Sequence, residues 1–466
     1  MLRVKQLLKQ KSLKNGGLYL FGNLFNKAIA FITVPIFTRM LTTSEYGIVS
    51  TYSSWVLILA VIVGLSLGNT VRNAYVDYHT SLYKYFSSVL FCALLNFVFL
   101  LLICFCIIQK VQLKIETPLI IFCLIESFGS FVINAAIMKY VMEEKALKRT
   151  IFLVLPNLIS TIISIILLMN IKGMNYYGRI IPTCIVTAVF GFGLLFYYFY
   201  KGRCFVKREY WSYALSLSLP LIFHSLSTYI LSISDRSLIA YFCGTSDTGI
   251  YSLVYSFSMI ATVIISSAEY MWIPFFTKKL INNKKDIINK TAKFYIEIIT
   301  VVISLLIMVS PEILVLLASK DYWSGKFIIA PIVLASYYTF LYSISVNAEF
   351  YYKKTKFIAF NTVIAAAINI ILNIIFIPVY GAFAAAYTTL ISYIISFVIH
   401  YLYMKKVDCE LFPFKLYIKP VCLIMFLALV MQISLDYWMI RWSLGLFIGI
   451  FYIMYLYKKL VRDREI

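Results

Sequence analysis

Apolar residues in this chain run in long, nearly unbroken blocks, not in the one-sided stripes of a soluble amphipathic helix. Fourteen such blocks fall at approximately 17–38, 46–69, 85–108, 117–138, 151–171, 180–200, 213–241, 248–276, 294–318, 327–348, 357–377, 382–403, 420–435 and 442–457. A membrane-crossing helix needs ~20 apolar residues. The pattern therefore predicts an all-α polytopic membrane protein of about 14 transmembrane helices, the last two blocks being the shortest. The first block follows the basic segment MLRVKQLLKQKSLKNGG. It is too long for a signal peptide and ends in no small-residue cleavage site, so it reads as an uncleaved first helix.

Composition removes the alternatives. The 466 residues are 62% hydrophobic and 13% charged, with a mean hydropathy of +0.88. Soluble domains carry roughly 25% charged residues, so an ordinary soluble enzyme, a disordered chain and a secreted disulfide scaffold are excluded. The nine cysteines form no CxxC pair and there are three histidines, which leaves no zinc or disulfide framework.

A net charge of +22 would suggest a nucleic-acid partner in a soluble protein. Its distribution gives another origin. With a cytoplasmic N-terminus, 32 of the 42 Lys and Arg fall in cytoplasmic segments and eight on the opposite side, with Lys27 and Arg236 inside spans. This is the positive-inside asymmetry, and one miscounted span would invert it downstream. Both termini are expected in the cytoplasm, the number of spans is even, and no nucleic-acid partner is needed. The outer loops are short, which argues against membrane glycosyltransferases, polymerases and ligases. No GxxxxGK[ST] segment occurs, so the chain does not hydrolyse ATP itself.

The segment Thr43-Ser44-Glu45-Tyr46-Gly47-Ile48-Val49-Ser50 returns 202 residues later as Thr245-Ser246-Asp247-Thr248-Gly249-Ile250-Tyr251-Ser252, and Tyr177-Gly178 returns as Tyr380-Gly381 after 203. Six helices separate the copies, so both keep one orientation, as in repeats related by an axis along the membrane normal. The expected organisation is a six-helix lobe at 1–205, a second at 206–408, and two further transmembrane helices at 409–466. In such transporters substrate binds between the lobes, and a rocking motion alternates access to it.

Asn369-Ile-Ile-Leu-Asn373-Ile-Ile-Phe-Ile-Pro378-Val-Tyr-Gly381-Ala382-Phe-Ala384-Ala385-Ala386 resembles the helix 11–12 signature of bacterial polysaccharide flippases, the Wzx-type O-antigen and capsule transporters of the MOP superfamily. Pro35, Arg39-Met-Leu and Glu45-Tyr46-Gly47 resemble that family's first helix and turn. Ser234-Asp235-Arg236 with Gly249-Ile-Tyr251-Ser resembles its helix 7–8 turn, and Gly178-Arg179 the turn before helix 6. The resemblance spans the first twelve helices. It implies flipping of an undecaprenyl-pyrophosphate-linked oligosaccharide to the outer leaflet of the bacterial inner membrane, in lipopolysaccharide or capsule assembly. It also implies a cationic cavity, coupling to a proton or sodium gradient, and membrane lipids, the polysaccharide polymerase and the chain-length machinery as partners.

Ionisable side chains in spans are costly and usually face the bundle interior. At 1.5 Å per residue, Lys27 lies about at the midplane, with Asn23 one turn before it on the same face. An ammonium there suits a pyrophosphate; the alternative is a pair with Glu126, at a similar depth in the fourth span. His224 is central in the seventh span, either as a group titrating in the useful range or as a satisfied core residue. Arg72 closes the second span, to attract a phosphate headgroup or to set topology. Asp235, Asn373, Thr388 and Thr389 lie at one depth on three helices, a plausible small-cation site, with Asn369 one turn deeper. The likeness to lipid II flippases implies a sodium ion between these helices. Alternatively Asp235 pairs with a nearby cation or caps a backbone break. Glu126 is the further coupling candidate. Glu269 and Glu297 are expected in salt bridges with lysines of the loop between the eighth and ninth spans. A multidrug or organic-cation exporter of the same superfamily, and a lipid II flippase, are the competing readings.

Overall fold

The computed structural model describes residues 2–110, 116–170, 173 and 175–462, without the side chains of residues 2–16, 20, 110, 224, 270, 453 and 455–462. Of the described residues, 91% are helical. Its helices are α1 (Leu2–Met40), α2 (Thr43–Val63), α3 (Val71–Asp77), α4 (Leu82–Lys110), α5 (Thr117–Met142), α6 (Ala146–Asn170), α7 (Tyr177–Gly202), α8 (Arg208–Phe242), α9 (Thr245–Ile281), α10 (Lys285–Leu317), α11 (Ile329–Tyr351), α12 (Thr355–Tyr380), α13 (Ala382–Val407), α14 (Lys415–Ile433) and α15 (Trp438–Arg462). Among the described residues, thirteen helices are long and apolar enough to cross a membrane, and Trp438–Tyr452 is a shorter apolar helix. Each of the fourteen apolar blocks thus lies on a helix. Large apolar side chains such as Leu102, Ile166, Val379 and Leu446 remain exposed, which suits a hydrocarbon solvent and not water.

The chain divides into two compact units, Met1–Ser237 and Leu238–Ile466, the boundary falling inside α8. Within the first unit α2 packs on α5, α5 on α7, α6 on α7, and α1 on α6. Within the second, α9 packs on α11, α11 on α13 and α12 on α13. The first three pairings of unit one therefore recur in unit two at the sequence offset of the repeated motif. The repeated motifs themselves begin helices. Thr42 and Glu45 close a capping box on α2, with Thr42 N–H donating to Glu45 Oε2 at 2.8 Å and Glu45 N–H to Thr42 Oγ1 at 3.2 Å, which satisfies donors the helix end would otherwise strand. The second copy opens α9 with Asp247 in its first turn, favourable beside the positive helix terminus.

Helices in lipid associate by close backbone contact at small residues, and α5–α7 shows this. A Cβ on Gly191 would stand 2.5 Å from the Cα of Gly129. The second span is shorter than its apolar run suggests. α2 stops at Val63, because Leu65 and Ser66 both take left-handed backbone conformations (φ 47° and 51°), and a short 3-10 turn at Leu67–Thr70 precedes α3. Gly64 is required at the break, since a Cβ there would lie 2.0 Å from the Phe131 ring.

In unit two the segment after α13 is fastened to α10. Asp408 accepts from Lys285 Nζ at 2.9 Å and from the Tyr352 hydroxyl at 2.7 Å. Asn289 donates to Glu410 O at 2.8 Å and accepts from Phe412 N–H at 2.7 Å. Burial raises the Asp408 pKa, but the hydrogen bonds from Lys285 and Tyr352 outweigh it and hold the carboxyl below its ordinary range. A depressed carboxylate stabilises the fold above the ordinary value of about 3.9, and that stabilisation is lost as pH falls through the lower folded value. Melting curves of the detergent-solubilised protein should therefore lose stability below about pH 4. Asp408→Asn should cost about 1.5–3 kcal/mol at neutral pH and flatten that acid limb.

Candidate functional site

The seam between α1 and α6 is polar. Arg149, in the first turn of α6, donates to Asn23 Oδ1 at 2.6 Å and to Tyr19 O at 3.3 Å, with its guanidinium 5.4 Å from the centroid of the Tyr19 ring. One turn deeper, Asn157 Nδ2 donates to Asn26 Oδ1 at 2.9 Å. Gly22 lets the helices come this close, because a Cβ on it would lie 2.9 Å from the Thr150 side chain.

Lys27 follows on the next position of α1. It is half-buried, and among the described residues it forms no ion pair. Asn23 is thus held by a residue that sequence reasoning counted as a loop charge, while the lysine has no ion-pair partner among the described residues.

Glu126 is not the partner of Lys27. Its carboxylate accepts from the Tyr52 hydroxyl at 2.8 Å, and it feels the Arg179 guanidinium on α7 through space. Arg179 in turn donates to Thr161 Oγ1 at 3.2 Å and Ser164 Oγ at 3.4 Å, and sits 4.5 Å from the Phe37 centroid. Equal depth brought Lys27 and Glu126 together in the sequence reading. The packing separates them, because α1 lies on α6 while α5 lies on α2 and α7. A polar network from α2 through α5 and α7 to α6 is the result. Arg236 on α8 reaches α2, donating to Ser54 Oγ at 3.4 Å.

Arg72 does not close the second span. It stands on α3, beyond the break, with its side chain exposed. His224 lies on α8, and its side chain is outside the described residues. Asp235, also on α8, is fully buried and belongs to the first unit.

The structure brings together Asn369, Asn373, Thr388 and Thr389 in the second unit, all buried. Asn373 Nδ2 donates to Asn369 Oδ1 at 3.2 Å, Asn369 Nδ2 to Thr389 Oγ1 at 3.1 Å, and Thr388 Oγ1 donates to Asn373 Oδ1. These bonds tie α12 to α13 and make each Asn both donor and acceptor. Among the described residues no group of three or more His, Cys, Asp or Glu is placed to hold a metal ion. Glu269 and Glu297 make no lysine salt bridge among the described residues; Glu297 accepts from the Tyr452 hydroxyl at 3.3 Å instead.

Sequence reasoning gave four residues no role of their own: Arg149 fell among the loop charges, Arg179 entered only as part of a turn motif, and Asn26 and Asn157 were not singled out. The signal for the pair of amides was weak but present: Asn26 adjoins Lys27, and an Asn inside a lipid-embedded helix needs a partner.

A family model described as polysaccharide biosynthesis protein matches residues 12–280. An uncharacterized membrane protein of Haemophilus influenzae is 25% identical over 382 residues, covering 76% of this chain and 88% of its own. A solved structure of the lipid II flippase MurJ, in an inward closed conformation, is similar with a TM-score of 0.68 at 17% identity, over 95% of this chain and 99% of that one. An inward-facing multidrug resistance MATE family transporter of the MOP superfamily is similar with a TM-score of 0.59 at 13% identity, over 85% of this chain and 98% of that one. The fold is that of MOP-type transporters.

Proposed function

Because the chain belongs to the polysaccharide biosynthesis protein family, we propose that it flips an undecaprenyl-pyrophosphate-linked oligosaccharide repeat unit across the bacterial inner membrane by alternating access. Its termini are cytoplasmic, its drive is a proton or sodium gradient, and its lobes are the two six-helix repeats. The observation that carries this reading is Lys27. An ammonium held half-buried in a membrane helix with no ion-pair partner among the described residues is costly, and a pyrophosphate would offset that cost by charge-assisted hydrogen bonds. Arg149, one helical turn away through Asn23, supplies a second cation in the same seam.

The exporter reading is weaker. An organic cation needs an available carboxylate, and Glu126 is engaged by Tyr52 and faces Arg179. The likeness to MurJ favours a second reading, lipid II as the cargo. For coupling, Asp235 and, separately, the cluster of Asn369, Asn373, Thr388 and Thr389 are the sodium candidates, while Glu126 and His224 are proton candidates.

The test is deletion of the gene in its native host, with mass spectrometry of the lipid extract and a cationic-drug sensitivity assay. Accumulated undecaprenyl-pyrophosphate oligosaccharide with loss of surface glycan is the expected outcome. New drug sensitivity without accumulation would move the assignment to the exporter.

A further inference from the structure

The second unit holds an ionisable pair that none of the assignments above uses. Glu349, in the last turn of α11, and His400, on α13, are both fully buried. Both carboxylate oxygens lie against one imidazole nitrogen: His400 Nδ1 is 3.0 Å from Oε1 and 2.9 Å from Oε2 of Glu349. The ring is stacked on Tyr342, centroids 5.5 Å apart, and meets the edge of Phe357 at 5.9 Å.

We propose that Glu349 and His400 form a proton-binding site whose occupancy is linked to the packing of α11 against α13. The inference rests on the reading that transport is coupled to an ion gradient, and it names the proton as the ion and this pair as its carrier.

The physical case starts from counting protons. With one proton between them the pair is neutral overall, whether the proton stands on Nδ1 or on the carboxyl. Uptake of a second proton gives an imidazolium beside a neutral carboxylic acid, net +1, and its release restores the neutral pair. Loss of the first leaves a bare carboxylate beside a neutral ring. Either change places a net charge in a closed, aromatic-walled site, which is strongly unfavourable. The site must loosen to change its protonation state, so proton exchange and α11–α13 contact cannot be independent.

Lys354, which is exposed, donates its N–H to Glu349 O at 2.8 Å. The other titratable neighbours are Tyr342 on α11 and, on α13, Tyr403, stacked on Phe357 at 3.5 Å. From α9, Glu269 and Tyr255 act electrostatically on Tyr342. α10 contributes Tyr295 beside Glu269, and α14 contributes Tyr417 against Tyr401 at 5.6 Å. On α12, one turn from Phe357, Asn361 donates to Ser396 O at 3.2 Å, and its buried Oδ1 has no hydrogen-bond partner among the described residues. That acceptor can take a hydrogen bond from water entering beside His400. Glu349 stands two residues before the end of α11, so the path from the helix ends to the pair is short.

Purified full-length protein in proteoliposomes, with a fluorescent polyprenyl-pyrophosphate disaccharide as the probe, tests the proposal. An imposed pH gradient should accelerate wild-type flipping. Glu349→Gln and His400→Gln should flip at the ungraded rate, with about a tenfold loss of the acceleration, a difference of about 1.4 kcal/mol. Variants accelerated as fully as wild type would overturn the proposal. So would a wild type driven by sodium alone, which leaves the flippase assignment standing. A wild type that does not flip the probe at all sinks the flippase assignment, and a second measurement then decides for the pair. Ring-15N-histidine-labelled wild type gives two imidazole resonances for each of the three histidines in the chain, and the pair missing in His400→Gln is that of His400. The proposal requires that pair of signals to report a change of protonation as pH is varied; signals constant over the whole pH range in which the protein stays folded overturn it.

Discussion

Replacing Lys27 by alanine should stop export of the lipid-linked glycan while leaving the protein in the membrane at its normal level. The ammonium makes no ion pair among the described residues and is half-buried, so its removal breaks no packing pair and strands no carboxylate. What it removes is a cation available to an anion. A hydrogen bond to a charged group contributes about 1.5–3 kcal/mol, and roughly 1.4 kcal/mol is tenfold in affinity. The expected loss is therefore about ten- to a hundredfold in affinity for the pyrophosphate. Lys27→Arg keeps the charge and should retain much of the activity, whereas Lys27→Glu should be as inactive as alanine. The readout is undecaprenyl-linked oligosaccharide in the lipid extract by mass spectrometry, normalised to protein in the membrane fraction. Normal export by Lys27→Ala would withdraw the lysine from the site. Arg149→Ala separates the two cations: it frees Asn23 from its 2.6 Å partner and should weaken export without abolishing it.

The spans were legible because a bilayer demands them. A helix in hydrocarbon must satisfy its own backbone and present apolar side chains along its length, and that demand writes a continuous block into the sequence. The α2–α3 break left no such mark. Gly64 and Gly68 sit in an unbroken apolar run, and the left-handed Leu65 and Ser66 follow from the Phe131 ring pressed on Gly64, a contact made by a helix far along the chain.

The polar residues show a different limit. Counting 1.5 Å per residue gives a side chain's height in the membrane but not the direction it faces. Lys27 and Glu126 share a height and belong to different seams. Asn369 and Asn373, by contrast, are spaced four apart on one helix face, and their common cluster was readable. Arg149 and Arg179 sit close to helix ends, where positive charge is expected for topological reasons, and Glu349 stands in the last turn of its helix. Only their partners distinguish a topological charge from a structural one.

Arg441 carries that point furthest, and its loss should be the most destabilising single change in the second unit. By sequence it is a lone positive charge before the last apolar block. In the structure it is 1% exposed, among the largest fully buried side chains. Its guanidinium pairs with Glu312 on α10, donates to the carbonyls of Ser434 and Leu435, and reaches Met308 O at 3.3 Å. Trp442 Nε1 also donates to Glu312, at 3.3 Å. The cation thus closes the turn between α14 and α15 and fastens α15 to α10. Arg441→Ala would leave a half-buried carboxylate and several carbonyls without their donor, and losing a charge-assisted pair together with buried carbonyl partners costs about 3 kcal/mol or somewhat less. A folded fraction near zero in mild detergent is the expected result, read by size-exclusion chromatography and thermal melting. Removing both partners should be gentler, because a well-packed apolar pair often matches or exceeds a buried ion pair. Glu312→Leu combined with Arg441→Met should therefore recover at least half of the lost stability. If Arg441→Ala melts within a degree of wild type, the guanidinium does not fasten α15, and Glu312 has no structural need of it.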